Sequence, residues 1–365
     1  MPVKQLIKTE PNRIIVITLR FLGDTLLTTP LISSLKQAYP MAILDVLTFQ
    51  SNAGMLEGNP HINQIICLKN KSGIIAFGKL LVSLFRKYDL AISTQAGDRP
   101  TLIAVIAGKS RIGFVPDEPT KAWWKKRLLS AWLVFPADYN HVVLENLRFC
   151  QILGIKAIPK LTPPSADFVD LPLPSSPYVV IHTVPQWRYK EWHMDGWREL
   201  INYLAKQQIT VVLTGSGNPA EQRKLEALEK KLESPVTNLA GKLSLAQLSA
   251  LIKHALFFIG PDTGITHLAA ATGTLTFAIF GPTDPHKWAP WPFDFQANHS
   301  PFAPTGSGRV NNVYLIQGKN AKNCVPCQRE GCQNNRESHS ECLDTLTVQK
   351  VIEAIKSTRL DLIKN

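Results

Sequence analysis

The chain predicts two doubly wound α/β halves, and three observations carry that expectation. Apolar runs without alternation recur at intervals that leave room for a helix between them. A proline-dense passage separates two such series. The second series ends in a strand, tight turn and small-residue helix, Leu256-Phe-Phe-Ile-Gly-Pro-Asp-Thr-Gly-Ile-Thr-His-Leu-Ala-Ala-Ala-Thr-Gly273. Runs of β-branched residues without alternation suit parallel strands buried on both faces, and such strands need crossover helices.

The first series opens with Arg13-Ile-Ile-Val-Ile-Thr-Leu19, a central strand, followed by a helix over about Asp24–Ala38. Ile43–Thr48, Gln64–Leu68 and Tyr88–Thr94 read as further strands, with a helix over Ile74–Lys87 before the last of them. Residues 1–160 form the first domain on this reading. Pro159, Pro163, Pro164, Pro172, Pro174 and Pro177 then exclude a helix or interior strand and mark residues 161–177 as a linker. The second domain, 178–345, restarts with Tyr178-Val-Val-Ile-His182, a helix near Asp195–Lys206, the strand Ile209–Thr214, and helices near Ala220–Lys231 and Ser244–His254. Leu275–Phe280 adds a last buried strand, and in residues 346–365 the helix Thr347–Ser357 is a candidate to cross back onto the first domain. Two facing Rossmann-like sheets would leave a cleft at the carboxyl ends of their strands, where ligands of such sheets bind.

With 365 residues, 45% of them hydrophobic, the chain has ample material for two cores and does not read as disordered. No run of eighteen apolar residues occurs and Met1–Glu10 lacks an apolar signal core, so a cytoplasmic location is expected. The net charge is +12, and residues 1–160 hold twenty Lys or Arg against ten Asp or Glu. A basic half favours an acidic partner: nucleic acid, a phosphorylated glycolipid or an anionic bilayer. Nucleic acid is not expected, because no RNP, helix-turn-helix or zinc-finger pattern accompanies the charge. Lys121-Ala-Trp-Trp-Lys-Lys-Arg-Leu-Leu-Ser-Ala-Trp-Leu-Val-Phe135 interleaves cations with tryptophans and reads either as a bilayer-interface segment or as a buried helix with a basic edge.

Three places could carry chemistry. Asp24, after Gly23 and just past the first strand, is a general base facing the cleft or an N-cap carboxylate. His182-Thr183 ends a strand and leads into Gln186-Trp-Arg188-Tyr-Lys190, where Lys190 or Arg188 could neutralise a pyrophosphate. The turn at Asp262-Thr263-Gly264 offers the free amides and positive dipole of a helix start to an anion, with Asp262 placed at the N-cap. Thr214-Gly-Ser-Gly217 is explained equally well as a turn, and Gly281-Pro-Thr-Asp284 would line the same edge. Cys324, Cys327, Cys332 and Cys342 cluster, and two readings stay open: a structural zinc held by four thiolates, or free thiols. Cys67 and Cys150, among apolar residues, read as core.

Arg20-Phe-Leu-Gly-Asp-Thr-Leu-Leu-Thr-Thr-Pro30, Lys190-Glu-Trp192, Gly260–Ala271 and Gly281-Pro-Thr-Asp284 together resemble the ADP-heptose:lipopolysaccharide heptosyltransferases, glycosyltransferase family nine, whose fold is GT-B. The likeness runs from about Ile14 to Trp291 and is strongest toward the heptosyltransferase III branch. It implies that Asp24 is the catalytic base, deprotonating an acceptor heptose hydroxyl for inverting attack on ADP-L-glycero-D-manno-heptose, with Arg20 and Gly23 on the acceptor side. It implies donor contacts at Thr183, Arg188, Lys190, Asp262, Thr263, Gly264 and His267, with Glu221 toward the ribose and Leu243 toward the adenine. The implied acceptor is a phosphorylated Kdo-lipid A or heptosyl core at the cytoplasmic leaflet of the inner membrane, which suggests peripheral association. No cofactor is expected for catalysis, since no Asp-x-Asp triplet occurs in the chain. Trp187-Arg188-Tyr189 and the cysteine cluster depart from better-known members of the family.

Overall fold

A computed structural model describes residues 9–71, 73–135, 140–166, 174 and 176–358. The chain divides into two compact units, Met1–Ser165 with Phe295–Ser300, and Ala166–Asp294 with Pro301–Asn365.

In the first unit the elements run β1 (Arg13–Thr18), α1 (Leu22–Leu26), α2 (Thr29–Ala38), β2 (Ile43–Phe49), β3 (Gln64–Leu68), α3 (Ile74–Leu84) and β4 (Tyr88–Ser93). They continue as α4 (Asp98–Ala107), β5 (Gly108–Pro116), α5 (Pro119–Leu128), β6 (Ala131–Phe135) and α6 (Val142–Leu153). The sheet is ordered β3-β2-β1-β4-β5-β6, and every strand pair is parallel. Ile14, Ile15, Val16 and Ile17 of β1 are fully buried, as a strand covered on both faces requires.

The single helix expected over Asp24–Ala38 is two helices. Pro30 has no N–H to give, and its ring crowds the carbonyl four residues back at Leu26, where α1 stops. Lys121–Phe135 is not one buried helix: the segment turns at Leu129-Ser130 and divides between α5 and the edge strand β6. Lys125 is buried, with its ammonium 2.8 Å from Asp98 of α4. Cys150 is core, and burial pushes its thiol up to about 11, but Cys67 is exposed on β3 and that expectation is corrected.

The second unit runs β7 (Tyr178–His182), α7 (Met194–Lys206), β8 (Thr210–Thr214), α8 (Pro219–Glu229), β9 (Thr237–Asn238), α9 (Leu245–Lys253), β10 (Phe258–Pro261), α10 (Gly264–Ala271) and β11 (Thr276–Phe280). It ends with α11 (Pro285–Trp288), β12 (Gly308–Val310), β13 (Val313–Gln317), α12 (Glu341–Asp344) and α13 (Val348–Ser357). The sheet order is β12-β13-β11-β10-β7-β8-β9, parallel except for the short antiparallel edge strand β12. Numbered within its own unit, this parallel core repeats the 3-2-1-4-5-6 order of the first, the arrangement of dinucleotide-binding sheets.

Caps set several helix limits. Ser244 and Gln247 form a capping box on α9, and His193 Nδ1 accepts from Gly196 N–H at 2.9 Å to start α7. Val351, Ile352 and Ile355 of α13 join Trp197 and Leu200 of α7 in the core of the second unit. The described turns of the C-terminal segment therefore pack in that unit; residues 359–365 lie outside the described residues. The expected linker 161–177 divides likewise. Leu161 is buried, Thr162 N–H donates to Thr29 Oγ1 at 3.0 Å and Ser165 N–H to Glu57 carbonyl, so residues to 165 belong to the first unit, while 167–173 and 175 lie outside the described residues.

Candidate active site

In a doubly wound sheet, consecutive crossovers run one way from the first strand and the other way from its neighbour, which opens a crevice at the carboxyl ends of that pair. In the second unit the pair is β7 and β10. The residues leaving these two strands are His182-Thr183 and Asp262-Thr263.

Lys190 closes a 3-10 turn, Arg188–Lys190, and its Nζ lies 2.6 Å from Asp262 Oδ2. Asp262 is buried and Lys190 half-buried, so the pair stands in a medium where charges interact more strongly than in water. The N-cap of α10 is Thr263, whose hydroxyl accepts from Thr266 N–H at 3.4 Å; the expectation of Asp262 in that role is corrected, because its carboxylate is engaged by Lys190. Gly264 then begins the helix, and its amide is among the N–H groups that no helical carbonyl can reach.

Buried polar atoms at the same point have no hydrogen-bond partner: Thr183 Oγ1 and His267 Nδ1. Thr183 is 1% and His267 5% exposed. Orphaned buried groups are costly, and a cluster of them beside a helix start is what a polar ligand would complete. Burial pushes the His267 imidazole down to about 4, with Asp262 opposing that shift and Lys190 adding to it. At neutral pH the ring is uncharged, so the local positive charge comes from Lys190 and the α10 dipole.

Glu221 lies one strand further along the carboxyl edge, in the first turn of α8. It accepts from Ser216 Oγ, and its Oε1 has no hydrogen-bond partner. A Cβ built on Gly215 would stand 2.4 Å from that oxygen, so a side chain there would shift the carboxylate from its place. Gly241 (φ +72°) donates to Gly215 carbonyl at 2.9 Å, which brings the turn carrying half-buried Leu243 against the same edge. Arg188 is exposed. The structure thus gathers Thr183, Lys190, Asp262, Thr263, Gly264 and His267 at one point, with Glu221 and Leu243 beside β8 and β9.

In the first unit the corresponding pair is β1 and β4. Gln95, just past β4, accepts from Leu19 N–H at 2.6 Å and donates to Thr18 Oγ1 at 3.2 Å, while Asn52 donates to Arg20 carbonyl at 2.6 Å. These bonds fix the loop that leads to Gly23 and Asp24 in α1. Asp24 is not the N-cap, which is Phe21; its carboxylate is 14% exposed and lies 3.9 Å from Arg20. Gln95 and Asn52 escaped sequence reasoning because lone amides carry no spacing signal.

The segment 319–346 supports the Lys190 loop. Ser340 Oγ donates to Tyr189 carbonyl at 2.6 Å, the Arg336 guanidinium lies 4.4 Å from the Trp187 ring centre, and Trp192 Nε1 donates to Leu346 carbonyl at 2.8 Å. All six cysteines are free. The Cys342 thiol is pushed up to about 12, by burial first and then by Cys327, Cys332 and Cys324. Among the described residues, no three His, Cys, Asp or Glu side chains are arranged at coordination geometry.

A family model described as glycosyltransferase family 9 (heptosyltransferase) matches residues 77–305. The chain belongs to this family. Among curated relatives, lipopolysaccharide heptosyltransferase 3 of Escherichia coli is 33% identical over 290 residues, covering 75% of this chain and 84% of the relative. The solved structure of E. coli ADP-heptose LPS heptosyltransferase II covers 96% of this chain and 99% of its own at TM-score 0.74 and 21% identity. E. coli heptosyltransferase WaaC with ADP-2-deoxy-2-fluoro heptose covers 95% and 99% at TM-score 0.66 and 20% identity. At those identities the two structures establish the fold, GT-B with two Rossmann-like domains. The family 9 chain is a glycosyltransferase, and no helix among its described residues is long and apolar enough to cross a membrane.

Proposed function

We propose that this family 9 enzyme transfers L-glycero-D-manno-heptose from ADP-heptose to the inner core of lipopolysaccharide, with inversion and with Asp24 as general base. The observation that carries the donor half is the juxtaposition of the Lys190–Asp262 pair, the α10 start and the unpartnered Thr183 and His267 atoms at one switch point. A diphosphate would take up the free amides of α10 and share Lys190; the ribose would reach Glu221 and the adenine Leu243. Arg188 would add a second cation from the exposed side.

On this reading Asp24 removes the proton of an acceptor hydroxyl, the oxygen bonds to the anomeric carbon from the face opposite the diphosphate, and the bond to ADP breaks. Lys190 and the helix N-terminus take the charge that develops on the leaving group, a preorganised stabilisation that needs no cofactor. Arg20 and Gly23 sit beside the base on the acceptor side. The acceptor, a phosphorylated Kdo-lipid A or heptosyl core, suits the basic N-terminal half and places the enzyme at the cytoplasmic face of the inner membrane, with no role for nucleic acid.

The same proposal assigns a structural zinc ion to Cys324, Cys327, Cys332 and Cys342. It rests on the four cysteines gathered within segment 319–346, and the metal would tie that segment in place under the Lys190 loop. Metal content of the purified protein tests it: one equivalent of zinc is expected, and metal-free protein with an unchanged melting temperature overturns it.

The transfer itself is tested with purified enzyme, ADP-heptose and core acceptors of defined length, following ADP release and product mass. Addition of one heptose with inverted configuration is expected. Turnover with another sugar nucleotide, and none with ADP-heptose, would favour a different GT-B transferase or an epimerase.

A further inference from the structure

Helix α3 carries two apolar stripes yet lies on the surface. Among its eleven residues, Ile74-Ile-Ala-Phe-Gly-Lys-Leu-Leu-Val-Ser-Leu84, the only charge is Lys79. Phe77, Leu80, Leu81 and Leu84 face the core with Ile103, Ala104 and Ala107 of α4. That stripe is enough to seat the helix. A second stripe faces outward: Ile74 is 93% exposed, Ile75 78%, Val82 78% and, just past the helix, Phe85 66%. With 3.6 residues per turn these four fall within about 100° of one another. Four adjacent large apolar side chains in water mark a contact surface.

The surroundings indicate what covers it. Crossovers from β3 to β4, β4 to β5 and β5 to β6 all run the same way along the sheet, so α3, α4 and α5 share one face. Arg99 of α4 packs 4.7 Å from the Phe77 ring centre, and Lys125 of α5 pairs with Asp98 of α4, which links the three helices laterally. On α5, Trp123 is 65% exposed. From Lys69 to Arg127 the chain carries twelve Lys or Arg against four Asp or Glu, and three of those four, Asp89, Asp98 and Glu118, are already paired with lysines. The outward stripe offers no directional polar group, only aliphatic and aromatic surface rimmed by cations.

We infer that the α3–α5 face is a membrane-docking surface: Ile74, Ile75, Val82 and Phe85 enter the headgroup boundary of an anionic bilayer while the surrounding lysines and arginines hold its lipid charge. Trp123 sits at the interface level, as amphipathic rings do. The inference gives the proposed lipid-borne acceptor a physical route to the enzyme, but its evidence is this surface alone.

The test is co-sedimentation of the full chain with phosphatidylcholine vesicles, with and without phosphatidylglycerol, at low and high salt. Binding is expected only with the anionic lipid and should weaken with salt. The double variant Ile75→Glu with Phe85→Glu should lower partitioning by roughly tenfold or more, whereas Met41→Glu, at an exposed apolar residue outside this face, should leave it unchanged. Near-ultraviolet circular dichroism confirms that the variants fold, and ADP titration of each is expected to match wild type. Absence of vesicle binding by the wild type, or binding indifferent to Ile75→Glu with Phe85→Glu, overturns the inference. So does a concentration-dependent dimer that the double variant dissolves while vesicles capture nothing. Vesicle binding by a protein that fails to bind ADP would overturn the donor-site proposal and leave this surface standing.

Discussion

Lys190 Nζ and Asp262 Oδ2 stand 2.6 Å apart, joining a loop after β7 to the turn that starts α10. Each end compensates the other. Lys190→Ala should raise the KM for ADP-heptose by at least roughly tenfold and lower the stability by about 1–3 kcal/mol, because a buried carboxylate loses its counter-charge while partial exposure of the lysine moderates the loss. A double-mutant cycle with Asp262→Asn separates the two effects. Additive stability changes would show that the pair is not coupled.

Asp24→Asn keeps the shape of α1 and removes the base. kcat should fall by about 10²–10⁴-fold, and ADP affinity measured by calorimetry should stay at the wild-type value, since the proposed donor residues belong to the other unit. Near wild-type turnover would rule Asp24 out as the base.

His182 and His267 are both lowered to about 4 by burial. In the unfolded chain they take up protons near pH 6.5, but the folded chain resists until about pH 4. Stability therefore falls as pH drops through that window, by up to roughly 3 kcal/mol for each histidine, and is unaffected above it. Urea denaturation of wild type and His267→Gln at pH 7 and pH 5 checks the sign: the variant should lose less on acidification. An equal loss would mean His267 does not resist protonation.

Gly318 stands where a Cβ would meet the carbonyl oxygen of Cys342 at 2.1 Å. Backbone cannot yield as a side-chain tip can, so Gly318→Ala should cost about 2 kcal/mol and push the 319–346 segment away from the sheet. Through Ser340 and Trp192 that displacement reaches the Lys190 loop, and donor affinity should fall with the melting temperature. A stable variant with unaltered ADP binding would disconnect the segment from the site.

Both sheets were legible in the sequence where strands are central, because β1, β7 and β10 are unbroken apolar runs that nothing but double burial explains. β5 was not, since Gly108-Lys-Ser-Arg111 opens it with polar residues, and β6 was hidden in a run that reads as helix through Leu128. The strand, turn and helix start of the proposed donor site were legible through their sequence grammar. What escaped was the partner of Asp262: Lys190 lies seventy-two residues earlier, and only the adjacency of β7 and β10 brings the two together. The break at Leu27-Thr28 could have been read from Pro30, whose ring excludes a continuous helix.

The edge strand β6 has a further consequence. Ala131-Trp-Leu-Val-Phe135 has no charge, no proline and strong β-propensity, and it is the outermost strand of its sheet, where the Arg148 guanidinium donates to the Val134 carbonyl at 3.0 Å. Such a segment templates amyloid-like growth whenever it is uncovered during synthesis or heating. Lys126 Nζ lies 4.4 Å from the centre of the Trp132 ring, setting a positive charge over the broadest apolar face of the strand. It acts as a gatekeeper, so that neutralising Lys126 would leave the native fold intact while lowering the yield of soluble protein from refolding.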